Sequence, residues 1–149
     1  MTSGVDVNDE AGATQSAAGP GADRWVGAGG ATAADVAVAV DEAWNTAVGG
    51  REPGLVIVFC STAYPLAQVA SAVQALAGDA PVIGCSTSGE VATNGPSESG
   101  LALWAIGGAG FDVHTGVGQG SSDGLRSAAA EAAACIEDVP DALTSVLVL

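Results

Sequence analysis

The sequence predicts an α/β domain: a mixed β-sheet with helices packed on it, in the order β-α-β-α-β-β-β-α-β. Three observations carry this. Short apolar runs bounded by glycine alternate with stretches whose apolar residues recur at helical spacing. One such run, LVIVFC at 55–60, is apolar on both faces, which suits a central parallel strand covered by helices on each side. Two later runs, LALWAI at 101–106 and FDVHTGV at 111–117, are joined by Gly107-Gly108-Ala109-Gly110, which predicts an antiparallel hairpin.

Each element has a local reason. Residues 1–22 hold Gly, Ala, Ser and acids with no hydrophobic period, so they read as a disordered leader before a domain over 23–149. RWVGAGG (24–30) is a short strand ending in a glycine turn. Thr32 stands three positions before Asp35, a capping-box pattern. Val36, Val40, Trp44 and Val48 then give a helix one apolar face, until Gly49-Gly50 stops it. Pro65 suits the first position of a second helix, where its missing N–H costs nothing. Leu66, Val69, Ala70, Val73 and Leu76 form the apolar side of that helix, and Gly78 ends it.

PVIGC (81–85) is a third strand, expected beside 55–60 and parallel to it, and a polar loop runs from Ser86 to Glu98. In 111–117, Asp112, His114 and Gly116 give the strand one polar face. A helix over 122–136 shows Leu125, Ala128, Ala129, Ala132 and Ile136 on one side. LTSVLVL (143–149) is a last strand with no turn after it, so the domain is expected to continue past Leu149.

Composition sets the limits. The 149 residues suit one domain. Hydrophobic residues make up 48% but aromatics only 4%, so the core is built from small aliphatic side chains. Three Arg and no Lys face 17 acids, a formal charge of −14. Nucleic-acid binding needs a basic stripe, which this chain cannot supply; polyphosphates and anionic membrane surfaces are disfavoured for the same reason. No apolar run approaches the ~20 residues of a membrane span. No basic segment followed by an apolar one marks a secretory signal, so the expected location is the cytoplasm, with Cys60, Cys85 and Cys135 reduced.

The chemistry points to one edge of the sheet. Residues 59–62 read Phe-Cys-Ser-Thr and 84–87 read Gly-Cys-Ser-Thr. If the two strands are parallel neighbours, both tips emerge together, at the carboxyl edge where open α/β sheets bind ligands. The candidate ligand-binding residues are Ser61, Thr62, Cys85, Ser86, Thr87, Ser88 and Glu90. Hydroxyls, free N–H groups and the start of the helix at Pro65 would hold a carboxylate. Glu90 would meet an ammonium. The expected ligand is therefore a small zwitterion such as an amino acid, and the plain alternative is that these hydroxyls cap turns.

No cofactor or metal is implied. Gly27-Ala28-Gly29-Gly30 lacks the third glycine of a dinucleotide fingerprint, since Thr32 stands there, and a P-loop needs a lysine. Cys60, Cys85 and His114 match no zinc spacing.

The run PVIGCSTSGEV, followed by a Gly-containing turn and GLALWAI, resembles the FIST N-terminal domain. So do LVIVFCSTAY before a helix starting Pro-Leu, and FDVHTGVGQG followed by an Ala-rich helix and PDALTSVLVL. The resemblance covers roughly 24–149 and is most specific at 84–90. It implies an intracellular sensory domain of signal-transduction proteins that binds small ligands such as amino acids. Family members usually continue into a C-terminal FIST domain, often beside kinase, cyclase or chemoreceptor modules. A sensor rather than an enzyme is the expected reading. Its alternatives are a thiol-dependent enzyme using Cys85 with His114, and an interaction module whose sheet edge meets a partner.

Overall fold

Small side chains set the spacing of the first layer. In β1 (Trp25–Ala31), Gly27 and Gly29 face α1 (Val36–Ala47). A Cβ at Gly27 would collide with the Ala47 carbonyl oxygen, and one at Gly29 with that of Ala43. The helix therefore lies closer to the strand than larger residues would allow. The computed structural model describes residues 23–92, 95–120, 122–136 and 143–149. The leader expected over 1–22 lies outside these residues, as do positions 93–94 of the expected polar loop.

Asp35 is the cap of α1, in place of the box expected from Thr32: its carboxylate accepts the Val38 N–H at 3.1 Å. Arg51 closes the other end. Its Nε and Nη2 donate to the carbonyls of Val48 and Ala47, both at 2.8 Å, while the guanidinium lies 4.0 Å from the centre of the Trp25 ring.

The chain continues through β2 (Pro53–Ser61), α2 (Leu66–Ala77) and β3 (Val82–Thr87). A small hairpin follows, β4 (Glu90–Ala92) with β5 (Gly95–Ser97), and then β6 (Leu101–Gly107). The main sheet runs β1-β6-β2-β3. As expected, β2 and β3 are parallel neighbours, with Val56 opposite Val82 and Ser61 opposite Thr87. The strand β6 is antiparallel to both β1 and β2, so the sheet is mixed and the α/β class holds.

Both α1 and α2 pack on the sheet face that carries Val56, Val58, Cys60, Leu101 and Leu103. Val40, Ala43, Val69 and Val73 meet those strands from the helices. Helices on each side of 55–60 were expected; the first two share one side. On the opposite face Val26 and Trp104 remain 55% and 42% exposed.

Several late expectations are corrected. Residues 111–117 form no strand and pair with none among the described residues, so the hairpin with 101–106 does not form. The reason is that β6 has no free edge: β1 takes one side along its whole length and β2 takes the other. Residues 143–149 form no strand either, and they lie exposed. The last helix, α3 (Leu125–Ala133), is shorter than 122–136 and follows a 3-10 turn at Ser122–Gly124. It lies along the segment before it, with Gly116 and Gly118 close against the carbonyls of Ala132 and Ala128.

Candidate functional site

The expected edge exists, with a register that the repeat did not foretell. Cys60 stands opposite Ser86, and Ser61 opposite Thr87, so the two Cys-Ser-Thr tips are displaced by one residue. Side chains alternate along a strand. Ser61 and Thr87 therefore share one face, and Cys60 and Ser86 the other. Cys85, half-buried, stands opposite Phe59.

The inward members of the set are occupied by the protein itself. Ser61 is 4% exposed. Its hydroxyl donates to the Glu98 carbonyl at 3.2 Å and accepts the Ala63 N–H at 3.2 Å. Its own N–H donates to the Gly100 carbonyl at 2.9 Å. Thr87 donates to Glu90 Oε1 at 2.7 Å, with the Gly89 carbonyl a weaker second acceptor at 3.2 Å. Glu90, only 3% exposed, accepts the Gly100 N–H on Oε2 at 3.1 Å. No cation pairs with its carboxylate among the described residues.

Tyr64, which sequence reasoning missed, completes the group. Its ring is buried, and its hydroxyl donates to the Ala33 carbonyl at 2.6 Å and lies 3.5 Å from that of Ser99. Burial, and after it the charge of Glu90, pushes both the Tyr64 hydroxyl and the Cys60 thiol above their ordinary values.

Thr62, Ser86 and Ser88 point to solvent. Beside them opens a cleft of about 540 Å³ between the β3–β4 turn and the β4–β5 hairpin. It is lined by Ser88, Gly89, Glu90, Val91, Pro96, Ser97 and Glu98. Two of the expected residues, Ser88 and Glu90, line it directly. Ser61 and Thr87 hold its walls through Glu98 and Glu90, while Thr62, Cys85 and Ser86 do not line it.

A larger groove of about 830 Å³ lies at the opposite end of the sheet, around Trp25, Arg51 and Glu52. There the Arg51 guanidinium lies over the Trp25 ring, and a Cβ at Gly107 would come within 2.7 Å of the indole. His114 pairs with Asp112 at 3.1 Å, and no hydrogen bond joins it to Cys85.

Residues 54–149 match the family model of the FIST N domain. The chain belongs to the FIST N domain family. No curated protein matches it. FIST N domains form a family of sensory domains in signal transduction. In this FIST N domain the match includes β2 from its second residue through β6, the cleft and the buried Glu90. It begins after β1 and α1, yet β1 pairs with β6 from Trp25 to Ala31 and α1 supplies much of the core, so both are integral to the sheet that positions the cleft. No described helix is long and apolar enough to cross a membrane.

Proposed function

We propose that this FIST N domain senses a small zwitterion, most simply an amino acid, bound in the cleft above Glu90. One observation carries the reading: a buried carboxylate with two hydrogen-bond donors, and no cation partner among the described residues, borders an open cleft. A carboxylate has about four acceptor sites, and Thr87 and Gly100 use one on each oxygen. An ammonium arriving from the cleft would supply the missing positive charge, and Glu98 on the rim would assist it. Ser88, Ser97 and the Gly89 backbone offer hydroxyl and N–H donors for the ligand carboxylate. The chain charge of −14 favours cationic groups and provides nothing to neutralise a phosphate. The volume lies within the ~300–1,000 Å³ of small-molecule sites.

The domain acts here as a binder and not as an enzyme, in the cytoplasm, passing its signal to an output module of a signalling protein. Support for binding over catalysis is that no hydrogen bond joins His114 to the Cys85 thiol.

A thermal-shift screen of the common amino acids tests the reading. Micromolar affinity corresponds to about −8 kcal/mol. At ~100 times the dissociation constant, binding adds ~2.7 kcal/mol and raises the melting temperature by ~5–11 °C. A midpoint that no amino acid moves, while a nucleotide or a metal does, overturns it.

A further inference from the structure

We propose that the cleft selects an amino acid with a basic side chain, such as lysine or ornithine, and that Glu98 makes the choice; this rests on the reading of the cleft as a zwitterion site. Two carboxylates line the cleft, Glu90 and Glu98, in opposite circumstances. Glu90 is 3% exposed, and both of its oxygens accept hydrogen bonds. Glu98 is exposed, and among the described residues its carboxylate makes no hydrogen bond and meets no cation.

The place of Glu98 is nonetheless set. Its carbonyl accepts from the hydroxyl of Ser61, a buried residue at the end of β2, at 3.2 Å. Two residues on, Gly100 is held from both sides. Its carbonyl takes the Ser61 N–H at 2.9 Å, and its N–H donates to Glu90 at 3.1 Å. The backbone of the 98–100 turn is thereby fixed, while the Glu98 carboxylate stays available to a ligand. The protein brings no cation of its own to it. Arg51 lines the groove at the opposite end of the sheet, and Arg24 donates there to the Ala109 carbonyl. Arg126 is exposed on α3 and forms no ion pair among the described residues.

These charges sort ligands. A neutral amino acid carries one ammonium, which Glu90 takes, so Glu98 can only assist. Lysine or ornithine brings a second cation, which gives Glu98 a partner of its own. Aspartate or glutamate brings another carboxylate to a rim that is already negative. The methylene stem of a basic side chain would lie along Val91 and Pro96, cross-strand partners that also line the cleft. Ser88 and Ser97 remain for the ligand carboxylate.

The test is calorimetric titration of the full chain with lysine, norleucine and glutamate. Norleucine keeps the four-carbon stem of lysine and lacks its ammonium. Lysine should bind about two- to fivefold more tightly than norleucine, the worth of one exposed ion pair, and glutamate more weakly than either. Glu98→Gln keeps the backbone bond to Ser61 and removes only the charge. It should bring lysine to the affinity of norleucine and leave norleucine unchanged. Asp79→Asn removes the same charge from an exposed residue before β3, at the end of that strand opposite the cleft, and should change neither. Norleucine or glutamate binding as tightly as lysine would overturn the choice by Glu98 and leave the zwitterion site standing. So would a lysine preference that survives Glu98→Gln or falls equally with Asp79→Asn. If none of the common amino acids binds, the zwitterion site and this proposal fail together.

Discussion

The Thr87 hydroxyl donates to Glu90 Oε1 at 2.7 Å, while the other oxygen of that carboxylate holds the Gly100 N–H at 3.1 Å. A buried carboxylate with no cation beside it is costly unless its hydrogen bonds are made. Glu90→Gln can keep both bonds: the amide oxygen accepts from Gly100 and the amide N–H₂ donates to the Thr87 oxygen. It also removes the buried charge, so urea denaturation should find it within ~1 kcal/mol of the unaltered protein. Glu90→Ala leaves the Gly100 N–H unpaired and should cost about 1–3 kcal/mol. Both should abolish an amino-acid-induced thermal shift. The Gln variant thus separates the loss of an ammonium partner from the loss of structure.

Gly29→Ala should cost about 3 kcal/mol, the upper part of the overpacking range, because the new methyl meets the Ala43 backbone and not a side chain that could turn away. Gly54→Ala is the control. Its Cβ would have nothing nearer than the Ile106 carbonyl oxygen at 3.7 Å, and its cost should stay below ~1 kcal/mol. Denaturant midpoints compare the two directly, and equal costs would show that α1 can withdraw from β1 freely.

The β-α-β unit from LVIVFC to PVIGC was legible because both strands are apolar runs closed off by Gly, Pro or Ser, and the helix between them keeps a clean 3, 4, 7 spacing. The carboxyl edge was legible from the repeated Cys-Ser-Thr. Its register was not: the structure pairs Cys60 with Ser86, one residue off the match of the two Cys-Ser-Thr runs, which likeness of sequence does not encode. Nothing in LALWAI says that both its edges are taken by earlier strands. The β4–β5 hairpin has strands of three residues, one holding Pro96, too short for an alternation to show. Tyr64 escaped notice because its hydroxyl's partner is a backbone carbonyl 31 positions away. Glu90 was expected on an open loop; it is buried because β4 brings it to the start of β6, where Gly100 offers a donor.

Stability should be flat through neutral pH and fall in alkali. Burial, then Glu90, then Cys85 raise the Cys60 thiol above its ordinary 9.0; burial, then Glu90, Cys60 and Glu42 raise the Tyr64 hydroxyl above 10.0. Both groups favour the protonated form in the fold. The unfolded chain gives up these protons first, so the contribution is complete below the unfolded values and is lost as pH rises through the folded ones. The fall should therefore begin near pH 9 with Cys60 and continue above pH 10 with Tyr64, at up to ~1.4 kcal/mol per pH unit for each group. Cys60→Val should remove the earlier part of the fall and Tyr64→Phe the later part, measured as urea midpoints across the alkaline range. A decline with the same onset in both variants would place its origin elsewhere.

The three thiols should separate by accessibility. Cys60 is fully buried, whereas Cys85 and Cys135 are half-buried, and all three are free. Cys60 lies on the helix-covered face, and Cys85, opposite Phe59, lies on the other face. Their Cβ vectors point apart, so a mild oxidant should not join them, because a disulfide needs the two Cβ atoms about 3.5–4.5 Å apart. In the folded protein iodoacetamide should reach Cys85 and Cys135 and leave Cys60 unlabelled until the chain unfolds. The Cys135 thiol donates to the Ala132 carbonyl at 3.2 Å, which should slow it relative to Cys85. The rate at Cys85 carries the functional weight. Reactivity follows the thiolate fraction, and a nucleophilic cysteine needs a base within hydrogen-bond reach. The single His of this chain, His114, makes no hydrogen bond to Cys85. Cys85 should therefore label no faster than free cysteine at neutral pH. Labelling many times faster, and selective for Cys85, would mark it as a nucleophile and replace the sensor reading with a thiol-dependent enzyme.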